Sequence, residues 1–127
     1  MAKYRNKKVT IGGETYDSKK EAKRHFDLQL LEKAGKITNL QRQVKFELIP
    51  AQYETFERYG KKGKRLKDGK RCIEKSVVYI ADFAYTTKDG KQVVEDVKGY
   101  RKDGAYNIFT IKRKLMLYVH GIKIQEI

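Results

Sequence analysis

Three residues have the types and spacing for chemistry on a phosphodiester: Asp82, Asp96 and Lys98. They fall in Ile80-Ala81-Asp82-Phe83 and Glu95-Asp96-Val97-Lys98-Gly99. Side chains alternate faces along a strand, so Asp82 groups with Val78, Ile80 and Ala84, and Asp96 and Lys98 group with Val94. Two acids and a lysine then stand among apolar neighbours, where charge is costly. The turn between the runs decides whether the acids meet. A two-residue loop at Asp89-Gly90 sets Asp82 opposite Val97. A three-residue loop, Lys88-Asp89-Gly90, sets it opposite Asp96, and glycine suits the left-handed third position of that loop. Carboxylates about 5 Å apart repel unless a cation lies between them. Mg²⁺, with Mn²⁺ as a substitute, suits such a pair because it takes one or two carboxylates plus waters and phosphate oxygens. A metal there activates water, and Lys98 would orient that water or neutralise the charge developing on phosphorus. The plainer alternative makes Asp96 and Lys98 an edge-strand ion pair worth about 0–1 kcal/mol. Glu95 points to the other face and is expected to meet surface lysines.

These residues need a scaffold. Ser18 opens a helix over 18–34 in which Ala22, Phe26, Leu30, Leu31 and Ala34 recur at helical spacing, and Gly35 closes it. Residues 43–49 alternate as a strand with Val44, Phe46 and Leu48 on one side, and Pro50 ends it. Residues 76–86 and 91–98 are the strands that carry the acids. Residues 104–119 read as a second helix with Ile108, Ile111, Leu115, Leu117 and Val119 as its apolar positions, broken by Gly121. Ile122, Ile124 and Ile127 suggest a short last strand. The order is αβββαβ, an α/β fold with a mixed sheet whose central hairpin is flanked by helices. Residues 1–17 read as a basic N-terminal arm or short hairpin, and 18–127 as one domain. Residues 51–72 read as an inserted basic loop or long hairpin, made pliable by Gly60, Gly63 and Gly69.

The charge narrows the partner. Thirty Lys and Arg oppose sixteen Asp and Glu in 127 residues, a net charge of +14. Such a field attracts polyanions in a salt-dependent way. Lys61, Lys62, Lys64, Arg65, Lys70 and Arg71 concentrate it in the inserted segment and are the expected phosphate contacts. Lys112 on the last helix and Gln43 at the start of the first strand are further candidates, each equally readable as an ordinary surface or strand residue. His25 and His120 lack metal-ligand spacing and read as structural. Cys72 is the only cysteine, so no internal disulfide forms. No leader peptide and no apolar run long enough to span a bilayer is visible, and a cytoplasmic location is expected.

Asp82, with Asp96-Val97-Lys98 on the adjacent strand, resembles the motif of the PD-(D/E)XK nuclease superfamily. Ala81 stands where many members have proline. Ser18-Lys19-Lys20-Glu21 at a helix start resembles the upstream acidic motif of phage junction resolvases. The resemblance covers roughly residues 16–127 and implies a restriction-endonuclease-like core. It implies that Glu21, Asp82 and Asp96 bind metal, that the Val97 carbonyl is a further ligand, and that Lys98 is the catalytic lysine. It further implies a small phage-encoded endonuclease for branched or Holliday-junction DNA, in the cytoplasm of a bacterial host. Symmetric cutting of a junction would require a homodimer. Two alternatives stay open. Ser18-x-x-Glu21 also fits a capping box, in which the glutamate returns to the helix N-terminus. A non-enzymatic DNA- or RNA-binding protein would carry the same charge.

Overall fold

The computed structural model describes residues 8–98 and 104–127. Two short strands, β1 (Val9–Ile11) and β2 (Glu14–Tyr16), form an antiparallel hairpin ahead of the first helix, α1 (Lys19–Lys33). Tyr16 is buried against that helix, with its hydroxyl 2.5 Å from His25 Nδ1. Residues 9–16 thus take the short-hairpin form expected for this segment and pack on the helix, while residues 1–7 of the expected basic arm lie outside the described residues. Ser18 caps α1, its Oγ accepting from the Glu21 amide at 3.1 Å. The helix ends on Gly35 at φ 76°, with Gly35 N–H donating to Glu32 O and Lys36 N–H to Leu31 O, a Schellman closure.

The main sheet has the order β3 (Ile37–Ile49), β6 (Val77–Thr87), β7 (Gln92–Asp96), β8 (Gln125–Glu126). The first three strands run antiparallel, and β8 joins β7 in parallel. The chain reaches β8 through α2 (Gly104–Leu115), whose last turn widens to π-type hydrogen bonding over Met116–His120 before Gly121 stops it at φ 68°. The fold is mixed α/β, and its core elements follow the expected αβββαβ order. Between β3 and β6 the chain makes β4 (Gln52–Tyr59), a single turn at Lys61–Gly63, and β5 (Arg65–Glu74), paired only with one another.

Of the two readings of residues 51–72, the long hairpin is the one that forms, and its glycines do not all interrupt it. Gly69 does not break the strand. Phe56 pairs with it across the hairpin, and a Cβ on Gly69 would stand 2.3 Å from the Phe56 ring. Glycine is what allows the aromatic ring to lie flat on the partner strand.

Hydrophobic residues cover the sheet on two sides. One cluster includes Leu48, Tyr79, Ala84, Val94, Phe109 and Met116, and the other Leu28, Ile37 and Phe83. Both helices are turned away from their expected phase. On α1 the buried residues are Glu21, Ala22, His25 and Leu28, while Phe26, Leu30 and Leu31 are exposed. On α2 Phe109 is buried, while Ile108, Ile111, Leu117 and Val119 are exposed. Apolar residues lie on more than one side of each helix; α1 turns a mixed face with Glu21 and His25 to the sheet, and α2 packs through Phe109, Leu115 and Met116.

Candidate metal site and cleft

Gly90, at φ 85°, lets the chain reverse in three residues: Gly90 N–H donates to Thr87 O and Thr87 N–H to Lys91 O. The pairing runs Thr86 with Gln92, Ala84 with Val94 and Phe83 with Glu95. One step further Asp82 faces Asp96, as the turn chemistry predicts. At this spacing the Asp96 carboxylate disfavours a charge on Asp82. Asp82 also accepts the Val97 N–H at 2.8 Å. Burial, and then the neighbouring Asp96, push the Asp82 carboxyl up to about 8.

Strand alternation breaks at this point. Tyr79 and Ala81 pack in the cluster with Phe109, whereas Phe83 and Tyr85 pack in the cluster with Leu28, although all four are odd-numbered. Between the pairs Arg42–Phe83 and Val44–Ala81, the β3 residue opposite Asp82 is Gln43. Its backbone is left-handed, φ 52°. A side chain in that region costs about 1 kcal/mol or more and is held only where its surroundings over-determine it. The expected common face of Val78, Ile80, Asp82 and Ala84 is therefore only partly formed: Ala84 joins the core and Ile80 is half exposed.

Glu21 comes down from α1 to meet this point. It is 2% exposed, and its carboxylate lies 3.3 Å from Arg42 and 3.5 Å from Gln43 Nε2. Burial raises its pKa; the Arg42 hydrogen bond and the Asp17 backbone amide pull it back. Half of the capping-box reading holds, since Ser18 Oγ accepts from the Glu21 amide, but the carboxylate turns toward the sheet. Asp17, Glu21 and Asp82 each offer an oxygen, and the three oxygens lie within 4.8 Å of one another. Three hard anionic oxygens at that spacing fit a divalent cation such as Mg²⁺.

Asp17 was not legible as a ligand. It precedes the N-cap as an ordinary loop acid, and only the hairpin packed on α1 brings it over the sheet. Asp96, expected among the ligands, lies beside the trio rather than in it. Its Oδ2 accepts from the Tyr79 hydroxyl and pairs with Lys98 Nζ, both at 3.0 Å. Lys98 also sits over the Phe109 ring, 3.6 Å from its centre. Val97 meets Asp82 through its amide hydrogen, and its side chain packs on the Leu28 cluster.

Asp96, Lys98, Phe109, Ile108 and Lys112 line one cleft of about 330 Å³, which brings Lys112 to the site. A larger groove of about 590 Å³ runs between the β1–β2 hairpin and α1, along Val9, Ile11, Ala22 and Phe26. Neither is lined by the three clustered carboxylates; the smaller one has Asp96 and Lys98, the neighbours of Asp82, on its wall.

Glu95 corrects its expected role as a surface partner for lysines. It is 1% exposed, held by Arg24 at 2.8 and 2.6 Å and by the Tyr85 hydroxyl. His25 is structural, as expected: it stacks on Phe83 beneath Tyr16. Lys61, Lys62, Lys64, Arg65, Lys70 and Arg71 all lie on the separate β4–β5 hairpin. Lys20, from the first turn of α1, donates to the Lys98 carbonyl at 2.9 Å and ties the helix to the end of β7.

The sequence profile of one family spans residues 1–123, almost the whole chain. The chain belongs to the family described as protein of unknown function (DUF1064). No curated protein and no solved structure matches it. Among the described residues, no helix is long and apolar enough to cross a membrane.

Proposed function

We propose that this protein is a Mg²⁺-dependent DNA endonuclease with a PD-(D/E)XK site on a restriction-endonuclease-like core, acting on branched DNA. The observation that carries the reading is the meeting of Asp17, Glu21 and Asp82 within 4.8 Å, beside Asp96 and Lys98. A protein that only binds DNA gains nothing from buried acids where phosphate must approach. A bound divalent cation would supply Lewis acidity toward phosphate and an activated water.

The chain's own residues do the rest. Asp17, Glu21 and Asp82 would hold the cation through their carboxylate oxygens. Tyr79 and Lys98 fix the Asp96 carboxylate from two sides. Lys98, held between Asp96 and the Phe109 ring, keeps its ammonium at the cleft, where it can neutralise developing charge on a phosphate. Lys112 offers a second cation along the same wall. The β4–β5 hairpin supplies phosphate contacts away from the reacting bond. Two such sites would be needed to cut a junction symmetrically, so a homodimer in the cytoplasm of a phage-carrying bacterium is the matching biological setting.

A specific observation favours a second reading. Arg42 already neutralises Glu21, and Lys98 already pairs with Asp96, as in a purely structural network. The protein would then bind DNA or RNA without cutting it. Nicking of supercoiled plasmid, and cleavage of a four-way junction, flap, duplex and single strand, separate the two. Cleavage with Mg²⁺ or Mn²⁺ that stops with EDTA supports the nuclease. Binding of every substrate without metal-dependent cutting of any overturns it.

A further inference from the structure

The β4–β5 hairpin has no partner in the fold. It forms a sheet of its own, and all eight residues of β4 are exposed. An isolated two-stranded hairpin is marginal in water, so what lies on its surface matters. Tyr53, Thr55, Glu57 and Tyr59 alternate onto one face of β4, because the irregularity near Phe56 adds its extra residue to β5. Tyr53 and Tyr59 are 52% and 57% exposed. Each carries a cation on one side of its ring: Lys70 Nζ stands 4.7 Å from the Tyr53 centre, and Arg65 Cζ 5.7 Å from the Tyr59 centre. Phe56 is on the other face, spent on Gly69 and Arg71. The two tyrosines are six positions apart, about 20 Å at roughly 3.3 Å per residue. At the tip, Lys61, Lys62, Lys64 and Lys67 make no ion pair among the described residues, in contrast to Arg65 with Asp68 and Arg71 with Glu54.

Exposed rings with cations beside them, on a strand too long to be covered by its own chain, match the requirements of unpaired bases on a polyanionic backbone. Bases stack on aromatic rings whatever their identity, while flanking Lys and Arg follow the phosphates. A duplex would engage the lysines but hide its base faces. A second copy of the chain would bring the same positive charge to the same surface, which opposes self-association there.

We propose that this face of the hairpin binds single-stranded DNA, with Tyr53 and Tyr59 stacking on separate unpaired bases and the tip lysines contacting phosphates. The assignment rests on the DNA reading proposed above but not on cleavage. The hairpin would then recognise the unpaired segment at a branch point, and the metal site would cut nearby.

The test uses the full chain in EDTA, so no nuclease activity enters it. The chain has no tryptophan, so Tyr53→Trp and Tyr59→Trp place unique fluorophores that keep the stacking ring. Oligo(dT) should quench both, and a blunt duplex of equal length should not. Tyr53→Leu with Tyr59→Leu keeps bulk and strand preference but removes the rings. It should weaken oligo(dT) binding about tenfold or more per ring and leave the salt slope and duplex binding unchanged. Unquenched tryptophans, or an equal loss on single strand and duplex, would overturn the stacking role. Oligo(dT) binding as tight in the leucine variant as in the native protein would do the same. Cleavage that fails while quenching persists would sink the nuclease reading alone.

Discussion

Asp82 and Asp96 meet because Gly90 turns the chain in three residues, and their proximity has a thermodynamic consequence. A carboxyl whose folded pKa lies above its unfolded value stabilises the fold below the unfolded value, near 4, and that contribution is lost as pH rises through the folded value. Asp82 is pushed up to about 8 and Glu21 is also raised. The metal-free protein should therefore lose thermal stability between about pH 4 and pH 8, and Mg²⁺ should restore more of it at pH 8 than at pH 6, since the cation replaces the proton on Asp82. Melting curves with and without Mg²⁺ at the two pH values check this. A metal effect independent of pH would remove Asp82 from the ligands.

Exchange of single side chains separates the roles. Asp82→Asn and Asp17→Asn should each abolish Mg²⁺-dependent cleavage while DNA binding is kept or strengthened, because less negative charge faces phosphate. Near-native cutting by Asp17→Asn would return the ligand role to Asp96. Lys98→Ala should lower turnover about 10²–10³-fold with little change in affinity, as one of thirty Lys and Arg contributes little to the field. Equal losses in both would mark it as an ordinary phosphate contact. Glu21→Gln keeps an acceptor for Arg42 but not the charge that a metal needs. Unchanged melting with no cleavage is the expected result.

At the level of elements, α1 is fastened to the sheet by two deeply placed ion pairs, Glu21 with Arg42 and Arg24 with Glu95. Arg24 grips Glu95 in a fork, and Glu95 has almost no solvent contact. Removing one partner of such a pair leaves an uncompensated buried charge, at a cost of about 3–5 kcal/mol. Arg24→Leu should lose about that much in urea unfolding, and Arg24→Leu with Glu95→Leu should recover much of it. A cost below about 1 kcal/mol for the single variant would mean that Glu95 reaches water. The β4–β5 hairpin behaves differently, since little else packs on it. Lys61, Lys62, Lys64 and Lys67 replaced together by serine should leave the melting temperature unchanged and reduce the slope of log affinity against log salt on duplex DNA by up to about 3–4. An unchanged slope would make the tip a solvated turn.

Across the whole molecule, some levels were legible in the sequence and others were not. The net charge, the order of the main elements, the capping of α1 by Ser18 and the hairpin register set by Gly90 are local properties. Composition and turn chemistry decide them before any long-range contact forms. That is why Asp82 and Asp96 could be paired from sequence. The phase of α1 and α2 was not legible, because each helix carries apolar residues on more than one side and only packing on the sheet chooses between them. That choice buried Glu21 and His25 and exposed Phe26 and Ile111. Nor could the sequence reveal that Asp17 joins Glu21 and Asp82, that Glu95 is claimed by Arg24, or that Gln43 takes a left-handed backbone opposite Asp82. Each depends on residues distant in the chain being forced together. A buried charge accepts whatever partner the fold brings within reach, and strand alternation holds only where the sheet is not bent. The local rules determined which chemistry was available to this chain. The tertiary structure decided which carboxylates share it.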